Sequence, residues 1–302
     1  MKVLIVNDIV KPYGGAELYT IELARLLVKR NINVTILGAK GHIDAQLLPT
    51  DIKVLTYDYR PLLTLWRYGT GKIQKEFLMK LVHIFNQYDV VHFNNTMLNI
   101  IVPQLKIRVK STLFIRTIHD LRELCPGMHG IRTNKPCTII RPHLKCITCF
   151  PQFQNMIWKK RGTSNEGLLK IVVKNSRNIV RSLRLLNSLS YYDLVIAPSI
   201  FLAKHLKKLL RNSRIIHMYN FSPYYHRDEA SHKAQTKAQK CISEVRMGSS
   251  STSTITYIGR LSIEKGVYLL PIIAKCIKKE VKDIRILIAG EGPLKDVIQY
   301  YI

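Results

Sequence analysis

A strand, a connecting helix and a second strand follow one another near the end of this 302-residue chain. Residues 254–258 are apolar and β-branched, residues 267–279 repeat apolar side chains at helical spacing, and residues 284–289 form a second apolar run. Both runs have the continuous apolar character of strands that are buried on two faces. Two such strands joined through a helix run parallel, because the helix carries the chain back to the end of the sheet at which the first strand began. The pattern therefore predicts an α/β fold with a parallel sheet.

The same alternation begins at the N-terminus, where strands are predicted at 2–6 and 33–37 and a helix at 16–30 between them. Further strands are predicted at 52–55, 88–93, 111–117 and 190–199, which makes a Rossmann-like N-terminal domain. The turn before the first helix places Gly14 and Gly15 at its N-terminus, where bare N–H groups and the helix dipole favour an anion. The alternative is a glycine turn that serves tight packing only.

Length and composition limit the class of protein. A chain of 302 residues with 47% apolar residues forms one large or two ordinary domains. Its sequence has no run of about 18 apolar residues, the length of a membrane span. Its first residues are polar too soon for a signal peptide, so a cytoplasmic protein is predicted.

The net charge of +27 predicts anionic partners: nucleic acid, anionic lipid or phosphorylated substrates. No recognisable nucleic-acid-binding motif accompanies the charge, which disfavours the first of these. A helix predicted at 168–189 carries basic residues at spacings of three and four, and such a stripe suits the inner face of the cell membrane. A solvated polar face is the alternative. The stripe consists of Lys170, Lys174, Arg177, Arg181 and Arg184.

Two cations flank the loop that follows the strand at 254–258. Arg260 and Lys265 lie at a strand's carboxyl end, where open α/β sheets bind ligands. Such a pair suits a diphosphate, because arginine forks onto two oxygens and lysine adds a point charge. A solvated pair in an ordinary loop is the alternative reading.

The segments YIGRLSIEKGV (257–267) and LIAGEGP (287–293) resemble the donor-binding half of the retaining glycosyltransferases of family 4, which have the GT-B fold. The resemblance implies that Arg260 and Lys265 hold the pyrophosphate of a nucleotide-sugar donor, and that Gly290, Glu291 and Gly292 lie near the nucleotide. The segment GGAELYTIELARLL is similar to the family's N-terminal loop. By that resemblance Gly14 and Gly15 approach the donor across an interdomain cleft.

Two histidines follow or end predicted strands. His119 matches the family's H-D segment, and the resemblance gives it contact with the donor sugar and a role in stabilising charge at the reacting carbon. His92 ends a segment similar to the family's D-V-V-H strand, where a structural histidine is favoured. The resemblance as a whole implies a hexosyl transfer with retention to a lipid-linked or saccharide acceptor, with no catalytic cofactor.

Four cysteines fall within a loop-rich insertion at 125–149. The pair Cys146 and Cys149 has the spacing of half a zinc site, whereas Cys125 and Cys137 lie far apart in sequence. His129 and His143 are substitute ligands. A structural zinc that braces the acceptor side stands beside free thiols or a redox pair as alternatives.

Three parts are predicted: an acceptor-side domain at 1–222, a linker at 223–253 and a partial nucleotide-sugar domain at 254–302. A doubly wound domain needs about five or six strands. Only two are predicted after the linker, and the family's pair of donor-binding glutamates has no match here. A truncated relative is therefore expected, with a fragment or half of a split enzyme as alternatives. We expect weak or absent transfer from this chain, and a non-catalytic acceptor- or membrane-binding module is the alternative function.

Overall fold

The computed structural model describes residues 1–11, 14–127, 131–132, 135–137, 141–147, 149, 168–211, 213–220, 253–262, 265–281 and 284–301. The chain separates into two compact units, Met1–Tyr225 and His226–Ile302. The predicted linker lies outside the described residues except for Ser253, and so does His129.

The first unit is built on a seven-stranded sheet in the order β3-β2-β1-β4-β5-β8-β9, in which every pair of neighbours is parallel. This confirms the predicted parallel α/β architecture. A short antiparallel pair, β6 (Ile131–Arg132) and β7 (Lys135–Pro136), lies outside the sheet. The seven strands are β1 Lys2–Val6, β2 Asn33–Ala39, β3 Lys53–Tyr57, β4 Val90–Phe93, β5 Leu113–Thr117, β8 Leu194–Ala197 and β9 Ile215–His217.

Alternate residues of β1 belong to two separate apolar clusters. Leu4 and Val6 join one cluster, while Val3 and Ile5 join the other. Because successive side chains of a strand point to opposite faces, the sheet is covered on both sides, as its continuous apolar strands require. Helices of this unit include α1 Gly15–Val28, α2 Leu63–Tyr68, α3 Lys75–Phe85, α4 Val102–Lys106, α5 Leu168–Ser188 and α6 Ile200–Leu209.

A break at residues 69–74 separates α2 from α3. Gly69 ends α2 with φ +69°, a left-handed conformation that glycine adopts without steric cost. A Cβ at this position would lie 2.7 Å from the Arg181 backbone nitrogen in α5. Gly69 therefore both ends α2 and allows it to pack closely on the long helix.

The second unit contains β10 (Ser253–Ile258) and β11 (Ile284–Ala289), which pair in parallel over six residues. Helix α7 (Leu270–Glu280) connects them and α8 (Lys295–Tyr301) follows. The helix predicted at 267–279 starts later than expected, because Pro271 occupies its first turn and residues 267–269 form a 3-10 turn instead. Large apolar side chains of the two strands are exposed, with Ile258 80% exposed.

None of the helices within the described ranges combines the length and apolar character needed to cross a membrane.

Candidate functional site

The strand order of the first unit reverses between β1 and β4. From β1 the chain adds strands in one direction, to β2 and β3, and from β4 it adds them in the other direction. Ligands of open α/β sheets bind at the carboxyl ends of the strands beside such a reversal. The residues to consider are therefore those that follow β1, β4 and β5.

The loops after β1 and β4 are tied together by side chains of Asn7 and Asp8. Asn7 Oδ1 accepts a 2.8 Å hydrogen bond from the Asn95 backbone N–H, and Asp8 Oδ2 accepts one of 2.8 Å from Met97. The Tyr57 hydroxyl, at the end of β3, donates to Asp8 Oδ1 at 2.5 Å. Burial raises the pKa of Asp8, and these donors partly offset that effect. Sequence reasoning assigned no role to Asn7 or Asp8, since only the parallel sheet brings them to Asn95 and Met97.

His119 lies where predicted, just past β5, and is held by a chain of hydrogen bonds. Its Nε2 is 3.1 Å from Asn94 Oδ1, Asn94 Nδ2 donates to Thr20 Oγ1 at 3.1 Å, and Thr20 donates to the Ala16 carbonyl at 2.9 Å. Because Thr20 gives its proton to a carbonyl, it accepts from the Asn94 amide, and the Asn94 oxygen is left to accept from His119. The chain therefore assigns the proton to Nε2 and leaves Nδ1 as an acceptor. The Tyr19 ring packs edge-on, with ring centres 4.9 Å apart.

Both histidines near these strand ends are neutral at pH 7. Burial, the Arg116 guanidinium and His92 lower the pKa of His119 to about 3. Burial and Arg116 lower the pKa of His92 to about 4. His92 is buried and its Nε2 lies 2.7 Å from Thr117 Oγ1, in agreement with the structural role favoured from the sequence.

We expect acid to destabilise the protein through these two groups. A lowered pKa means that the unfolded chain takes up a proton below pH 6.5 whereas the folded chain does not. The stabilisation is complete above pH 6.5 and is lost as the pH falls toward 4, by about 2 kcal/mol for each histidine at pH 5. Urea unfolding of the wild type and of His92→Gln at pH 7 and pH 5 measures this. The variant should lose about 2 kcal/mol less than the wild type.

The matched control is His83→Gln, which replaces an exposed histidine of α3 and keeps His92 in place. Equal losses in His92→Gln and the wild type would contradict the expectation.

A buried ion pair lies beside the histidines. Arg116 Nη2 is 2.5 Å from Glu123 Oε1, and the two side chains are 2% and 1% exposed. Arg116 also donates to the backbone carbonyls of Phe93, Asn94 and Thr117. Burial is the largest single effect and opposes the charge of Arg116, but Glu123, Tyr192 and Asp120 together outweigh it, and the pKa of Arg116 is raised. The fixed cation joins β5 to the end of β4, which carries Asn94.

The glycine turn lies at the start of α1, as predicted. Gly15 is the first helical residue and Gly14 is the N-cap, with extended backbone. A Cβ on Gly15 would meet no atom within 4 Å, whereas one on Gly14 would lie 2.8 Å from Glu17 Oε2. Glu17 is buried in the first turn of the helix. Open space beside Gly15 is compatible with an approaching ligand.

In the second unit the two glycine-bearing loops bind each other at the carboxyl ends of β10 and β11. Leu261 N–H donates to the Glu291 carbonyl at 2.9 Å, and Leu294 N–H donates back to the Leu261 carbonyl at 2.9 Å. Arg260 and Lys265 have exposed side chains on the first loop. Glu291 forms a 2.7 Å ion pair with Lys295. Within this unit the predicted donor-binding residues are therefore brought to one end of the sheet.

Gly290 and Gly292 are required by this close approach. Both have left-handed backbone, with φ +153° and +157°, and a Cβ on Gly290 would lie within 1.9 Å of the Gly259 carbonyl oxygen. We expect Gly290→Ala to destabilise the loop pair by about 2–4 kcal/mol through strain and overlap. Hydrogen exchange of the amides of β11 should become markedly faster. Gly266→Ala is the control. Its φ is +70°, but the added Cβ would lie 4.0 Å from the nearest atom, so this substitution introduces backbone strain without overlap. Equal effects of the two substitutions would contradict the role of close packing.

The four cysteines of the insertion do not gather around one point in the part of the chain that is described. Among those residues no group of three His, Cys, Asp or Glu side chains could hold a metal ion. The Cys146 N–H donates to the His143 carbonyl at 2.9 Å, and buried Asn175 of α5 donates to the Ile147 carbonyl at 2.9 Å. The insertion is thus attached to the long helix by a protein hydrogen bond.

The basic residues of α5 do not form one uniformly solvated stripe. Lys174, Arg177 and Arg184 are exposed, but Arg181 is half-buried with its guanidinium 5.3 Å from the centre of the Trp66 ring. Arg177 lies 4.5 Å from the centre of the Tyr68 ring. The side chain of Lys170 lies outside the described part. The sequence missed these contacts because Trp66 and Tyr68 belong to α2, about 110 residues away.

Comparison with known proteins supports the fold. No curated protein sequence matches significantly. Among solved structures, the chain is similar to Alr3699/HepE of Anabaena in complex with UDP (TM-score 0.53, 16% identity, 99% of this chain and 64% of that one). It is also similar to a sucrose-phosphate synthase from Thermosynechococcus elongatus (0.53, 14%, 99% and 67%). A third is a point mutant of S. aureus TarM in complex with Fondaparinux, alpha-GlcNAc-glycerol and UDP (0.52, 11%, 100% and 74%).

The likeness to these structures confirms the predicted GT-B-like fold class. The chain spans about 64% of the length of the Anabaena structures it matches. The family model named Glycosyltransferase Family 4 matches residues 13–221, which is well over half of the 302 residues. The protein therefore belongs to glycosyltransferase family 4.

Proposed function

We propose that this protein transfers a hexosyl group from a nucleotide-sugar donor to a hydroxyl of a lipid-linked or saccharide acceptor, with retention of configuration. The observation that carries the proposal is His119, which follows β5 and is hydrogen-bonded to Asn94 at the end of β4, beside the point where the strand order reverses. Its ring is neutral and its Nδ1 is an acceptor, so it can receive a hydrogen bond from a sugar hydroxyl. A neutral ring stabilises charge at the reacting carbon by its dipole and not by a full positive charge.

The reaction needs a stabilised leaving group and no covalent intermediate on the protein. The bond between the anomeric carbon and the donor diphosphate breaks, and the acceptor oxygen bonds to the same carbon. The acceptor's proton leaves with the diphosphate. In this proposal Arg260 and Lys265 stabilise the charge that develops on the diphosphate, which is the larger part of such catalysis. Gly14, Gly15, Gly290, Glu291 and Gly292 complete the donor-binding residues.

UDP is the donor nucleotide to test first, because the Anabaena and S. aureus structures were solved with it. Calorimetric titration of the chain with UDP, with GDP and ADP for comparison, tests donor binding without requiring turnover. We expect saturable binding of at least one of them. The absence of binding by all three at millimolar concentration would contradict the proposal.

We further propose that the chain turns over weakly by itself. Ile255, Ile258 and Leu287 of the two-stranded sheet are 40–80% exposed, although strands of this composition are normally covered. A further segment or a complementary C-terminal half is the partner that this face favours. Transfer measured with purified chain and a panel of radiolabelled sugar nucleotides tests the idea, and rapid turnover would refute it.

Peripheral membrane binding at the cytoplasmic face is the second candidate function. It is favoured by Val173, Val180 and Leu183 of α5, which are 37–41% exposed beside Arg177 and Arg184. An apolar stripe flanked by cations is typical of helices that lie at a bilayer surface. Sedimentation with anionic and zwitterionic liposomes tests it. Binding that is absent, or equal for the two lipids and insensitive to salt, would count against it.

A structural zinc at Cys125, Cys137, Cys146 and Cys149 remains a proposal that rests on the Cys146-x-x-Cys149 spacing. We expect about one zinc per chain in protein purified without chelators, measured by atomic emission. Protein that contains no zinc, and takes up none when it is supplied, would remove the proposal.

A further inference from the structure

A cleft in the first unit concentrates positive charge without acidic side chains. It lies between α2 and the long helix α5 and has a volume of roughly 330 Å³. No carboxylate lines it. None of its four cations forms an ion pair within the described part of the chain, where ion pairs involve other residues. The cations are Arg67, Lys174, Arg177 and Arg181, and Leu63 and Trp66 supply apolar wall.

Arg181 is the half-buried cation of this cleft. Its guanidinium lies 5.3 Å from the Trp66 ring centre, and its Nη1 is 3.5 Å from the Trp66 carbonyl oxygen. Its Nε is buried and has no hydrogen-bond partner among the described residues. Burial, followed by the nearby cation of Arg122, lowers the pKa of Arg181. A buried donor without an acceptor is unfavourable, so Arg181 is held in the wall of the cleft at a cost in free energy.

The cleft adjoins the strand ends that carry His119. Asp120 forms a 2.8 Å ion pair with Arg122, whose guanidinium lies 5.5 Å from the centre of the Trp66 ring. Buried Ser182 of α5 donates a 2.7 Å hydrogen bond to the Arg122 carbonyl. The residue next to His119 is thus linked to the wall of the cleft by one ion pair and one cation–π contact.

We propose that this cleft binds a phosphoryl group carried by the acceptor. The inference rests on the proposed function, since the term acceptor requires a transferase. Four cations without a carboxylate match the double charge of a phosphate ester better than the single charge of a carboxylate. Leu63 and Trp66 offer apolar contact to the carbon skeleton that bears the phosphate. The same chemistry is supplied by a soluble sugar phosphate or by a phospholipid or lipid-linked phosphate.

The experiment follows Trp66 fluorescence in the full chain carrying Trp158→Phe, which leaves one indole. Inorganic phosphate and glycerol 1-phosphate are titrated at constant ionic strength, with acetate as the monoanion control. We expect saturable changes with both phosphates and little change with acetate. Absence of any phosphate-dependent change, together with no binding to phosphatidylglycerol vesicles, would overturn the proposal.

The test variant replaces two exposed cleft cations, Lys174→Gln with Arg177→Gln. The matched control, Lys207→Gln with Lys208→Gln, removes the same charge from the exposed side of α6. The cleft variant should bind phosphate at least tenfold more weakly and the control should bind as the wild type does. Equal weakening in both would show an effect of general charge and overturn the proposal.

Vesicles of phosphatidylglycerol identify the source of the phosphate. Vesicle binding that depends on Lys174 and Arg177 and is displaced by excess glycerol 1-phosphate indicates a lipid-borne group in the cleft, and binding restricted to the soluble phosphates indicates a soluble acceptor. Vesicle binding that persists in the cleft variant, without cleft-dependent binding of the soluble phosphates, contradicts the proposal. UDP affinity, measured by calorimetry, should be unchanged in the cleft variant. If the proposed transferase function is wrong, neither the wild type nor any variant will bind UDP. That result is distinct from a loss of phosphate binding at the cleft.

Discussion

Replacing Glu123 by glutamine is expected to lower the free energy of unfolding by about 3–5 kcal/mol. The substitution keeps the shape of the side chain but leaves the Arg116 cation buried without its counter-ion. Arg116 and Glu123 are 2% and 1% exposed and lie 2.5 Å apart, so water cannot replace the lost charge. The backbone carbonyls that accept hydrogen bonds from Arg116 carry no net charge, so they cannot replace the lost carboxylate. Urea unfolding followed by circular dichroism measures the loss.

A surface ion pair provides the control for this prediction. Asp58 and Arg60 approach to 2.5 Å, but their side chains are 39% and 78% exposed. Asp58→Asn should leave the unfolding midpoint nearly unchanged, because solvent screens an exposed pair. If Glu123→Gln were as mild as Asp58→Asn, the Arg116 cation would not depend on Glu123. Because Arg116 also binds carbonyls at the ends of β4 and β5, Glu123→Gln is further expected to disturb Asn94 and His119.

Arg260→Gln and Lys265→Gln are each expected to weaken UDP binding by about 10–100-fold, since a hydrogen bond to a charged group contributes about 1.5–3 kcal/mol. Both side chains are exposed on the loop after β10, where they are accessible to a diphosphate. Calorimetric titration with UDP measures the loss, and uridine distinguishes its cause. Uridine has no phosphate, so its affinity should be the same in the variants and the wild type.

Lys278→Gln and Lys279→Gln serve as controls for this second prediction. They remove equal charge from the exposed end of α7 in the same unit. UDP affinity should remain within about twofold of the wild type, because exposed charges at a distance are screened by salt. If these controls weakened UDP binding as strongly as the loop variants, the net positive charge and not the loop would be responsible for binding.

The sequence alone was sufficient where local pattern determines structure. Continuous apolar runs predicted the parallel strands. The Gly290–Gly292 turn follows β11, as predicted. Glycine occupies these positions because their left-handed backbone strains any residue that has a Cβ. The location of His119 was predicted in the same way, because this residue comes directly after the strand predicted at 111–117.

Only the tertiary structure decided which side chains meet at the candidate site. Asn94 and Thr20 are 74 residues apart, yet their hydrogen bond orients His119 and determines its tautomer. Arg181 was predicted from the sequence as one cation of a membrane-binding stripe, but packing of α2 against α5 places it on Trp66 and half buries it. Helical periodicity gives the side of a helix on which a residue lies, whereas the partner on that side depends on how distant segments pack. The positive charge of this protein was therefore evident from its sequence, whereas the fold determined that four of its cations line one cleft.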